Sequence, residues 1–278
     1  MRSAFGSADE FQGHDQPDSK ILGSIPYRAR YFVSHVVDLV KGRPTMHRRH
    51  FLATTVGALV GAGAARSSVF EGGTPISVAA RPTAIELVGT DLPKTQVWAY
   101  NQSIPGPVIR AKQGEQLLIS FENALSEPST IHWHGLRVPI EQDGVPFFSQ
   151  DPVRPGGRHL YALPLEDAGT FWYHPHVNSS EQLGRGLSGV LIVEEPPEVA
   201  SRLGVDREIV WAIDDWRLDE KAQIAPFGNR HDASHGGRFG NFITVNGSQE
   251  LGESVRAGER VRLRLVNVAN AQFFHLRF

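Results

Sequence analysis

Four histidines in two short motifs carry the strongest chemical signal in this chain: His132-Trp133-His134-Gly135 and Trp172-Tyr173-His174-Pro175-His176. Each motif is an H-x-H. In an extended backbone, residues i and i+2 point to the same face with Cα atoms roughly 6.5 to 7 Å apart, so each motif presents two imidazoles side by side while its middle residue faces away. Placed on neighbouring strands, the two pairs would bring four imidazoles together. Such a set suits zinc, copper, iron and nickel alike, so the histidines alone do not name the metal. Pro175 cannot donate a ladder hydrogen bond, which puts the second pair at a strand end or sheet edge where a metal can approach. Gly135 lets the backbone after the first pair pass close to another group. One H-x-H in a strand is ordinarily structural; two, flanked by Trp, Gly and Pro, point to a metal centre.

The elements that must hold these pairs are strands. From about Thr74 onward, short runs such as IELVG, TQVWAY, QLLISF, GVLIVEE and REIVWAI alternate with turn sequences such as IPGP, RPGG and EEPPE. That spacing predicts a β-sandwich or barrel. No stretch sustains a 3.6-residue period, and no βαβ alternation or glycine-rich phosphate loop occurs, which argues against a nucleotide cofactor. Two prolines in EEPPEV (194–199) stop a strand and mark a linker, giving a first domain over 74–197 and a second over 198–278. In the second domain ERVRLRLVN (259–267) reads as an alternating strand, with Arg260, Arg262 and Arg264 on its solvent face opposite Val261, Leu263 and Leu265. The run QFFHLRF (272–278) also alternates like a strand, so the second domain reads as incomplete.

Composition narrows the chemistry. The 278 residues include 28 Lys+Arg against 30 Asp+Glu, a net charge of -2 that disfavours a nucleic-acid binder. With 40% hydrophobic and 21% charged residues the chain is globular and long enough for about two domains. It has no Cys, which excludes disulfides, zinc–thiolate sites, cysteine nucleophiles and a blue-copper site within this sequence. Its two methionines, Met1 and Met46, lie ahead of the predicted mature chain, which leaves no axial methionine.

Near the N-terminus, the basic KGRPTMHRRH (41–50) precedes the apolar FLATTVGALVGAGAA (51–65), which is shorter than the ~20 residues of a membrane span. Ala62-Gly63-Ala64 supplies a small-x-small cleavage pattern. Arg48-Arg49 followed by His50, Phe51 and Leu52 resembles the twin-arginine export signal. Residues 46–65 therefore read as a cleaved signal that sends the protein to the periplasm or the exterior, with no stable membrane span. Met46 is then the natural start, and residues 1–45 form an upstream extension. His47 and His50 leave with the signal, His231 and His235 sit in a Gly- and Asn-flanked loop, and His159 and His275 read as structural.

The histidine motifs, together with NQSIPGPVIRAKQGE, QDGVPFFSQDPVRPGG and GTFWYH, resemble the first cupredoxin domain of laccase-like multicopper oxidases. GLSGVLIVEE, ITVNGSQ and VRLRLVNVANAQFF resemble the continuation into the second domain, so the likeness spans most of 74–278. It implies an all-β, cupredoxin-like Greek-key sandwich with one complete domain and an incomplete second. It also implies a trinuclear copper cluster between the first and last domains, where O2 is reduced to water with electrons from a separate blue copper. By motif position, His132 would ligate the type 2 copper, and His134, His174 and His176 the type 3 pair. Asp143 in QDGVP matches an acid implicated in proton delivery there, although Asp before Gly is also a common turn residue.

Copper is thus the expected cofactor, with half of the cluster's ligands present and no type 1 site, because the family's last-domain H-x-x-H-x-H and H-C-H motifs are absent. The implied partners are O2 and a small reducing substrate (a phenol, aromatic amine or metal ion), with a C-terminal domain or partner chain completing the cluster. The competing class is a non-enzymatic copper-binding or scaffolding cupredoxin-like protein. Two-domain relatives such as nitrite reductases fit less well, since they too require a blue-copper Cys.

Overall fold

The computed structural model describes residues 74–228, 230, 232, 237–250 and 252–277. The expected upstream extension over 1–45, the expected signal over 46–65, His231 and His235 lie outside the described residues.

Eight strands build two facing sheets: β1 (Ile76–Ile85), β2 (Thr95–Tyr100), β3 (Gly106–Lys112), β4 (Gln116–Asn123), β5 (His132–His134), β6 (Arg158–Pro164), β7 (Gly169–His174) and β8 (Gly189–Glu194). One sheet runs β2-β1-β4-β6 and the other β3-β8-β7-β5. Helix α1 (Ser179–Gly184) interrupts the passage from β7 to β8, and α2 (Pro197–Leu203) follows β8. Beyond it, β9 (Arg207–Trp216), β10 (Phe242–Val245) and β11 (Val261–Asn267) form a third sheet in the order β10-β9-β11. No helix among the described residues is long and apolar enough to cross a membrane.

Alternation explains most of these elements. In β4 Leu117, Ile119 and Phe121 point into the core between the first two sheets, where Tyr161 and Leu163 of β6 and Leu191 and Val193 of β8 meet them. Each fully buried side chain of this size contributes about 1.5–3 kcal/mol. The unbroken run in β8 has a different cause: Val190 and Ile192, on its other face, pack against Ala212, Val266 and Val268 of the third-sheet region. A strand buried on both faces loses its polar alternation.

Four expectations change. IELVG is not a strand of its own, because Ile85 closes β1 and the chain turns away after it. The preceding strand escapes notice because it contains Pro82, which lies where β1 has run past β4 and pairs only with β2, so no donor is missed. The EEPPEV segment does end β8 at Glu194, but it then starts a helix, with Pro197 at its first position and Gly204 (φ 56°) closing it.

The arginines of β11 are the third. The expected solvent face is reversed at its centre: Arg264 is 5% exposed and Leu265 is 44% exposed. Arg264 pairs with Glu208 at 2.6 Å and donates to the Thr170 hydroxyl of β7 at 2.7 Å. Arg262 holds Glu195 through both terminal nitrogens, and Arg110 joins Glu208 at 2.8 Å and Glu194 at 3.2 Å. Arg260 donates to the carbonyls of Leu203 and Gly204 at the end of α2. The alternating run over 272–277 forms no strand, and Phe273 within it is 89% exposed.

Candidate metal centre

Strands β5 and β7 pair antiparallel with His132 opposite His174, Trp133 opposite Tyr173 and His134 opposite Trp172. Trp133 and Tyr173 point inward and are fully buried. Their neighbours along each strand must therefore share the opposite face, which gathers His132, His134, Trp172 and His174. Strand β7 ends at His174, immediately before Pro175. The chain bends there, and the amide of His176 donates to the Thr130 hydroxyl at 3.3 Å, two residues before His132.

The four rings meet. His132 lies 4.3 Å from His176, 5.4 Å from His174 and 5.7 Å from His134, centroid to centroid. His174 lies 5.2 Å from His176 and 5.6 Å from His134. Ring nitrogens of His132, His134 and His174 fall within 4.8 Å of one another, a spacing a metal ion can bridge. Trp172 lies stacked on His174 at 4.1 Å and on His134 at 4.9 Å, acting as a flat wall for both. Motif reading passed over Trp172, although its position two residues before His174 carries the same i, i+2 signal.

The support beneath is aromatic. Trp133 sits against Tyr161 at 5.4 Å and Tyr173 at 5.7 Å, and the Tyr161 hydroxyl accepts from the Ile131 amide at 2.9 Å. Gly189 of β8 makes room for Tyr173, since a Cβ there would collide with the phenol ring. His159 packs its ring on Tyr161 at 4.5 Å, in keeping with a structural role, and His275 is exposed.

Asp143 closes the cluster on the His132 side. A 3-10 turn over Ile140–Gln142 ends on it, and Gly144 follows with φ 72° against the Ile131 backbone, where any Cβ would clash. The Nδ1 of His132 lies 2.8 Å from the Asp143 carbonyl and 3.2 Å from its carboxylate. Two acceptors on Nδ1 keep the proton there and leave Nε2 as the lone pair for a metal. Asp143 is thus a turn residue and the partner of a candidate ligand at once.

Burial, followed by the field of His132, pushes His174 down to about 3, and the carbonyl of Pro175, accepting from Nδ1 at 3.1 Å, only partly opposes this. Burial first and His132 second also lower His134 and His176. At neutral pH these three imidazoles are uncharged, the form in which histidine binds metal.

A model of the multicopper oxidase family matches residues 83–198. The chain is 34% identical over 146 residues to copper resistance protein A of Escherichia coli, covering 52% of this chain and 23% of that protein. It is 36% identical over 158 residues to laccase-2 of Cryptococcus neoformans, covering 54% of this chain and 26% of that protein. Among solved structures, a multicopper oxidase from Pseudomonas thermotolerans superposes with a TM-score of 0.67 at 42% identity, covering 72% of this chain and 47% of that one. The chain therefore spans about a quarter of these curated relatives and about half of the solved one. The fold is cupredoxin-like, and the segment that carries the histidine cluster belongs to the multicopper oxidase family.

Proposed function

We propose that this chain supplies the four-histidine half of the oxygen-reducing copper centre of an exported, laccase-like multicopper oxidase. The observation that supports this most is the convergence of His132, His134, His174 and His176 on one face, with His132 tied to Asp143 through Nδ1. The donor set fits copper: uncharged imidazole nitrogens are good copper ligands, and although zinc would accept them too, the family match favours copper. In this reading His132 holds the type 2 copper, and His134, His174 and His176 hold the type 3 pair. Copper bound there supplies the electron transfer that reduces O2 to water.

The chain's own residues do the rest. Asp143 orients His132 and keeps a carboxylate beside the site, where it can relay protons arriving from solvent. Trp172 fixes the planes of His134 and His174. The blue-copper thiolate and the remaining cluster ligands come from a further domain or partner chain, because this sequence contains no Cys. The reducing substrate is a phenol, an aromatic amine or a metal ion, and the twin-arginine motif at Arg48-Arg49 directs export.

The test is metal content with visible and EPR spectra on the protein purified from copper-replete cells. The expected result is bound copper with a type 2 signal that disappears in His132→Ala. A protein that takes up no copper under these conditions overturns the reading. Copper held firmly, with no O2 consumption even beside a domain supplying the missing ligands, points instead to a copper-binding protein without oxidase activity.

A further inference from the structure

Strand β5 is three residues long, too short for its ladder alone to fix where the first histidine pair sits against the second. The segment entering it is held by something else. Gln182 of α1, six residues after His176, is fully buried. A buried primary amide is costly unless its donors and acceptor are matched, and this one is. Its carbonyl accepts from the Ser129 hydroxyl at 2.7 Å, and its NH2 group donates to the Glu127 carboxylate at 2.6 Å and the Pro128 carbonyl at 2.9 Å.

Those three partners are consecutive, and they lie just ahead of His132. The next two residues are also anchored: Thr130 takes the amide of His176, and Ile131 donates to Tyr161. From the other side, Ser129 exchanges both backbone hydrogen bonds with Val153, so the segment cannot slide when its hydroxyl is engaged. One side chain thus bolts the helix that follows the second histidine pair to the segment that precedes the first.

We infer that Gln182 is a positioning residue for the imidazole cluster: through Ser129, Glu127 and Pro128 it sets the spacing between the His132–His134 pair and the His174–His176 pair. This rests on the copper reading of the site only for its functional meaning. An apolar side chain of similar size at 182 would leave the Ser129 hydroxyl, the Glu127 carboxylate and a carbonyl to find new partners, and the 127–131 segment would shift with them.

The experiment compares the full chain with Gln182→Leu, Ser129→Ala and the double variant, first metal-free and then titrated with Cu2+. In the metal-free protein, imidazole nitrogen NMR resonances of His132 and His176 are expected to move in Gln182→Leu and, less, in Ser129→Ala. Methyl resonances of Leu191 and Val193, in the core below, stay in place. With Cu2+, affinity is expected to fall about 10- to 100-fold in Gln182→Leu with an altered EPR hyperfine pattern, and the double variant is no worse than the single one.

Unmoved imidazole resonances in both folded single variants overturn the inference, as does a lowered melting temperature with the cluster's signals unchanged. Should Gln182→Leu fail to fold, Ser129→Ala decides by the same resonances. A wild-type chain that binds no Cu2+ sinks the copper reading, while the metal-free spectra still decide the role of Gln182.

Discussion

Strand β7 carries polar chemistry at both ends, and the two ends are built on opposite principles. Near its start, Thr170 receives Arg264, which lies within a network of Glu195, Glu208, Arg262 and Arg110 where charges of opposite sign are matched. At its finish, His174 joins three other imidazoles, bases of one kind with no anion among them except Asp143 at the rim. The first cluster saturates itself and holds the third sheet against β7. The second collects lone pairs that satisfy one another poorly, and the same burial that keeps His134, His174 and His176 uncharged prepares it for a cation. Mutual saturation marks an architectural cluster, whereas convergent, uncharged donors mark a binding one.

The contrast can be broken most forcefully at Arg264. Arg264→Leu takes from Glu208 its most buried cation, leaving it the more exposed Arg110, and removes the donor to Thr170; it is expected to cost about 3 kcal/mol in urea unfolding while Cu2+ affinity stays within about twofold. Coupled loss of both would show the two ends to be one unit.

Acid should separate them next. His174 stays uncharged in the folded chain down to about 3, whereas in the unfolded chain it protonates near 6.5. Between those values the unfolded chain binds the extra proton, so this contribution is complete above about pH 6.5 and is lost toward pH 3, by up to about 1.4 kcal/mol per pH unit. Glu195, pulled down to about 2 chiefly by its hydrogen bonds from Arg262, acts in a lower window: its contribution is present above about pH 4.3 and is lost as pH falls toward 2. Unfolding of the metal-free protein at a series of pH values, compared with Arg262→Met, checks the order, since only the lower window should vanish in the variant.

At the binding end, His134→Ala removes an exposed ring and is expected to weaken Cu2+ binding by about 100-fold or more, with an unchanged circular dichroism spectrum. Asp143→Asn keeps the carbonyl bond to His132 and removes the negative charge, so a milder loss of about tenfold is expected by the same titration. Smallest of all, Arg110→Ala should cost under about 1 kcal/mol, because its guanidinium is largely open to solvent and its pairs are screened.

The convergence of the histidines was legible in the sequence and the arginine network was not. An H-x-H encodes its geometry locally: two residues along a strand return to the same face, so the convergence of four rings needed only that the strands be neighbours. The arginines of β11 were misread because alternation reports a period and not a phase. Val261-Arg262-Leu263-Arg264-Leu265 fits either face inward, and hydrophobicity favours burying the leucines. Burial of Arg264 was decided by Thr170, 94 residues away in sequence, and by carboxylates on other strands, none of which forms a motif with it. Gln182 was invisible for the same reason, its hydroxyl partner lying 53 residues back. Asp143 was intermediate, since its turn-forming role is a dipeptide property while its contact with His132 is tertiary.

The stacking of Trp172 on His134 and His174 also makes the protein its own optical probe. An indole in van der Waals contact with two rings of this imidazole cluster would lose its excited state to a paramagnetic ion bound there far faster than it can emit. Of the five tryptophans, Trp172 alone touches two cluster rings face to face, so its emission should go dark first as Cu2+ is added, and a diamagnetic ion such as Zn2+ in the same place should leave much more of that light.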